Sequence, residues 1–176
     1  MMHAACKNDE GLSFVELIVS VLVSVIVIVA IATVLANSWQ AQEQVTTVTQ
    51  ATNRGQLVSS TIERAMRNAL FFEVTESGTV LRVRTSLSGD KKCQGFRITD
   101  AAAQFTWNSV TLTTSNTAWP SWQPGINAQG GTPYFVRTPE GSLSYTFKIT
   151  TEAAPVAFSG DVAPRSVQET GSGGCW

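Results

Sequence analysis

Histidine is nearly missing from this sequence: among 176 residues there is one, His3. Beyond it, Ser-His-Asp and Cys-His nucleophile arrangements are excluded, and a zinc site would lose its commonest nitrogen ligand. No phosphate loop or dinucleotide fingerprint occurs, since Gly130-Gly131 has neither the spacing nor a following helical pattern. Charge is sparse at 14% of residues, with a formal net charge of -1. Basic and acidic residues balance once residues 1–11 are set aside, which gives no electrostatic case for nucleic-acid binding. Asp100, Glu140, Glu152 and Asp161 are scattered acids that read as solvated surface charge, and Asp90 beside Lys91 and Lys92 reads as a turn. The expectation is a protein that is not an enzyme and needs no metal or other cofactor.

Charge, proline and glycine are all missing from Leu17 to Ala36 (LIVSVLVSVIVIVAIATVLA), a run long enough for one bilayer span. Beyond it the chain turns to Thr, Ser, Gly, Gln and Asn with aromatics placed singly, as suits an exported β-domain. Length and composition fit one modest domain plus that membrane segment. The cysteines divide by position, Cys6 before the span and Cys93 and Cys175 beyond it. An oxidising compartment favours a Cys93–Cys175 disulfide, and two buried thiols are the other reading.

The first eleven residues, MMHAACKNDEG, are polar and lack the apolar stretch of an ordinary secretory signal, or one that would make Ala4-Ala5-Cys6 a lipoprotein cleavage box. Gly11 is followed by Leu12-Ser13-Phe14-Val15 and then Glu16, which leads straight into the span. A carboxylate in an apolar segment costs several kcal/mol unless it is paired or reaches the interface. The plain reading of Glu16 is an interfacial acid snorkelling at the end of a signal anchor. The segment GLSFVELIVSVLVSVIVIVAIA, however, resembles the processing site of type IV prepilins and type II secretion pseudopilins.

That resemblance implies cleavage between Gly11 and Leu12 by a prepilin peptidase/N-methyltransferase, with methylation of the new amine on Leu12. Leu12 stands where phenylalanine is commoner in the family, and Asp9 and Glu10 beside the cut depart from its leaders. The freed amine would lie about one helical turn from Glu16 and could meet the glutamate of a neighbouring subunit instead. The implied partners are other pilins or pseudopilins in a filament or tip complex and a membrane platform protein. No Lys or Arg lies between Lys7 and Arg54, which suits an N-terminus inside and an exported domain.

Past Ala36 no proline interrupts the sequence as far as Leu70. Val45, Val48, Thr52, Gly55, Val58, Ile62, Ala65, Met66 and Ala69 recur at spacings of three and four, so the helix is expected to continue as an amphipathic stripe, weakened locally at Gly55. From Phe14 to Leu70 it would reach about 85 Å. The expected organisation is a leader at 1–11, a transmembrane and assembly helix at 12–36, an amphipathic helix at 37–70 and an extracytoplasmic β-rich domain at 71–176. The fold class is α+β. The pilin-like lollipop that the resemblance implies is a long N-terminal helix, half in the membrane and half packed on an antiparallel sheet. Residues 61–69 (TIERAMRNA) are also similar to the post-membrane helix of J- and W-type minor pseudopilins.

Alternation predicts strands at Phe72–Val74, Thr79–Thr85, Gly95–Thr99, Gln104–Trp107, Ser109–Thr113, Tyr134–Thr138 and Leu143–Thr150, with turns at Ser77-Gly78 and Ser88–Lys92. Residues 119–133 are rich in Pro and Gly and read as a long loop. Its Trp119 and Trp122 are either a ligand-binding surface or a satellite packing cluster. Pro155, Gly160 and Pro164 break up the end of the chain, and the tail Gly171–Trp176 would fray unless stapled. The expected function is a structural subunit of a pilus, secretion or DNA-uptake filament. The alternative is an anchored ectodomain or tip adhesin that uses the tryptophan loop.

Overall fold

The computed structural model describes residues 13–87, 89–112 and 119–176. The expected leader, with Gly11 and Leu12, lies outside them, as do Ser88 of one expected turn and Thr113 of one expected strand. The chain divides into two units, Met1–Glu43 and Gln44–Trp176, and one helix, α1 (Phe14–Arg67), contributes to both. In the first unit every described residue is exposed, and the apolar run makes this helix long and apolar enough to cross a membrane.

In the second unit α1 packs on antiparallel sheet through Ala51, Gly55, Val58, Ile62, Ala65 and Met66, all buried. Burial begins at Ala51: Val45 is exposed and Val48 and Thr52 are half-buried, so the stripe is shorter than the apolar spacing suggested. α1 ends three residues earlier than expected. Asn68 donates its side-chain amide to the Arg64 carbonyl (2.7 Å), and Ala69 enters a strand ladder instead.

Five strands form an antiparallel meander in chain order: β1 (Ala69–Thr75), β2 (Val80–Leu87), β3 (Asp90–Ile98), β4 (Ala102–Asn108) and β5 (Ser121–Pro124). The register places Phe72 opposite Val83, Leu81 opposite Phe96, and Phe96 opposite Phe105. With side chains alternating between faces, these residues line the face that shares one core with Ile62 and Met66 of α1. The opposite face carries Val80 and Cys93, which belong to a second cluster with Leu112, Trp119 and Cys175.

A second sheet is centred on β8 (Leu143–Ile149). β6 (Ile126–Asn127) and β7 (Phe135–Arg137) pair with its two ends, and β9 (Val156–Val162) pairs along its whole length. Gly125 is the switch between the sheets. Its positive φ of 79° lets the chain turn directly from β5 to β6, while its N–H donates to the Ala101 carbonyl at 2.8 Å.

Several expectations fail here for definite reasons. The supposed loop 119–133 contains β5 and β6; β5 lies at a sheet edge, where Pro124 removes no needed donor. Ser109–Leu112 is not a strand, because the Leu112 N–H donates to the Cys175 carbonyl (2.8 Å) and the Thr111 hydroxyl to that of Gly174 (2.8 Å). Asp90–Lys92 belong to β3, not to the preceding turn. β9 was hidden by its flanking prolines and Gly160. At Gly55 α1 runs on without a break, and the Phe158 ring of β9 occupies the space beside it.

One polar contact ties α1 to β8. The Tyr145 hydroxyl donates to Glu63 at 2.7 Å, and Glu63 also pairs with Arg67 at 3.0 Å. Burial and then the Glu63 hydrogen bond push the Tyr145 phenol up to about 12, against a smaller lowering from Ser59 and a further raising from Asp161. Because the folded state holds this proton more tightly than the unfolded chain, the stability it contributes is complete below pH 10 and is lost as pH rises toward 12. Tyr134, buried and donating to Asp100, shifts in the same direction. Denaturant midpoints measured from pH 8 to 12 should therefore fall above pH 10, and Tyr145→Phe should shallow that fall.

Candidate functional site

The residues with the strongest functional pattern lie where α1 begins. The Ser13 carbonyl accepts the first helical hydrogen bond from the Leu17 N–H at 3.1 Å, and Glu16 stands in the first turn. A carboxylate there is favoured by the unpaired N–H groups of the helix start. From Ser13 to Gln42, Glu16 is the sole ionisable side chain. Two hydroxyls in the apolar stretch turn back onto the helix, Ser24 to the Ser20 carbonyl (2.7 Å) and Thr33 to that of Ala30 (2.8 Å), which satisfies them without an outside partner. Glu16 has no such recourse: its carboxylate is exposed on an apolar rod.

Cys93 and Cys175 are joined by a disulfide with Cα atoms 5.4 Å apart, and both are fully buried. The bond fastens the C-terminal tail across the face of the first sheet turned away from α1. Around it, Trp176 Nε1 donates to Glu73 (2.6 Å), Lys91 donates to the Gly173 carbonyl (2.9 Å), and the buried Arg84 pairs with Glu169. These contacts hold the tail against the sheet.

Trp119 is 4% exposed and lies over Gly95, where a Cβ would come within 2.4 Å of its ring. It packs beside the disulfide and offers no surface to a ligand. Trp122 is half-buried on β5, its ring 5.4 Å from that of Phe105. The two tryptophans thus belong to different clusters, Trp119 with the disulfide and Trp122 against the main core. Within the second unit the tryptophan that faces solvent is Trp107 on β4, at 60% exposed. Alternation alone could not flag it, because its strand face is covered by α1 only farther along. Among the described residues no group of three or more His, Cys, Asp or Glu side chains is placed to hold a metal.

No family model matches the chain, and neither a curated protein nor a solved structure does.

Proposed function

We infer that this chain is a type IV pilin-like subunit, a minor pilin or pseudopilin, that enters a filament or its initiating tip complex through α1. The supporting observation is Glu16: a lone carboxylate in the first turn of α1, at the head of its uncharged apolar run and five residues after Gly11, on a helix that continues without a break into a β-rich unit. An acid held at that depth needs a cation, and a methylated α-amino group on Leu12 of a neighbouring subunit supplies one. Assembly by this pairing sets axial register between subunits. In this reading residues 12–36 cross the cytoplasmic membrane with the N-terminus inside, and the second unit is exported, where its disulfide is stable. The partners are a prepilin peptidase/N-methyltransferase, the other pilins of the filament and a membrane platform protein. The work of assembly comes from them, not from catalysis by this chain.

Mass spectrometry of the protein recovered from its native membrane tests the reading. The expected mature form begins at methylated Leu12, and an intact form beginning at Met1 in assembling cells overturns it. Glu16→Ala should remove the protein from sheared filaments or tip complexes while leaving the melting of the second unit unchanged. An anchored adhesin would instead remain with the cell envelope and tolerate that substitution.

A further inference from the structure

A groove of about 280 Å³ opens where the last turns of α1 overhang the outer part of the first sheet. Thr61, Arg64 and Ala65 form its helical wall, and Lys92, Gln94, Phe105 and Trp107 form its floor. Lys92 and Gln94 alternate onto the α1-facing side of β3, and Trp107 stands directly opposite Gln94 on β4. Three unspent interactions converge there. Arg64 and Lys92 make no ion pair among the described residues, and Asp90, the nearest acid along β3, does not neutralise Lys92. The Gln94 side-chain oxygen is buried without a donor, a costly condition for an amide. Trp107 leaves most of its indole in water.

We propose that this groove docks an acidic polypeptide segment of a partner protein. A carboxylate from the segment meets Arg64 and Lys92, an N–H donates to the Gln94 oxygen, and an adjacent apolar side chain covers Trp107. Only a ligand that brings an anion, a donor and an apolar group within a few residues satisfies all three. Nucleic acid fits less well, because it demands a track of cations, whereas the groove has two and the second unit carries 11 basic residues against 9 acidic ones. The groove lies wholly within the second unit, so this proposal does not depend on filament assembly.

The test uses the full chain in detergent and fluorescence anisotropy with three labelled hexapeptides: acidic ALDELA, its amide counterpart ALNQLA and basic ALKRLA. The acidic peptide should bind at least tenfold more tightly than the amide one, with the difference shrinking at high salt. Arg64→Glu with Lys92→Glu should reverse the preference toward the basic peptide, and Trp107→Ala should weaken acidic-peptide binding several-fold. All three positions are at least partly exposed, so unchanged melting is expected of each variant. Equal binding of acidic and amide peptides, no binding of either, or tighter binding of a dT12 oligonucleotide overturns the proposal.

Discussion

Cys175→Ser is expected to lower the stability of the second unit by about 4 kcal/mol, seen as a fall in melting temperature on the order of 15 °C. The bond joins residues 82 apart in sequence, so its loss restores a long loop to the unfolded ensemble. It also frees the tail contacts of Glu73, Arg84 and Lys91, which the crosslink holds in place. Cys93→Ser should cost the same, the double variant no more than either single, and wild-type protein treated with reductant should match all three. Additive losses would mean that each sulfur contributes by packing alone.

Gly55→Leu carries the second large effect, and its sign runs against helix propensity. In an exposed helix interior, leucine in place of glycine gains close to 1 kcal/mol. Here a Cβ would stand 2.0 Å from the Phe158 ring, which is itself stacked on Phe147 with centroids 5.2 Å apart. The new side chain must expel that ring, and the expected net loss is about 3 kcal/mol by denaturant unfolding. Phe158→Ala should remove the conflict, so that Gly55→Leu becomes neutral or stabilising in that background. A double-mutant cycle showing no coupling between the two positions would refute the assignment of Gly55 as a seat for β9.

Gly55 also shows where sequence reasoning stopped. The apolar run, the onset of α1 at Phe14 and the long helix beyond the span were legible, because each depends on residues near one another in the chain. The consequence of a glycine at position 55 depends on a strand a hundred residues away, and that strand was concealed by Pro155, Pro164 and Gly160. Trp119 was singled out for its residue type, yet what decides its burial is the missing side chain at Gly95, on a different strand. Conversely the alternation that places Trp107 on a strand says nothing of its exposure, which arises because the edge of α1 leaves it uncovered beside Arg64 and Lys92. The Cys93–Cys175 bond was accessible by position alone, since no third cysteine lies beyond the span. Glu16 needed no fold at all, only the improbability of an acid in that company.

The crosslink has a mechanical corollary. If the helix is tugged one way while the far tip of the chain is gripped, tension passes from β3 across the sulfur atoms and bypasses everything between them. Some 82 residues, about 280 Å of contour at ~3.5 Å each, are thereby denied to extension, and only the length upstream of Cys93 can unravel.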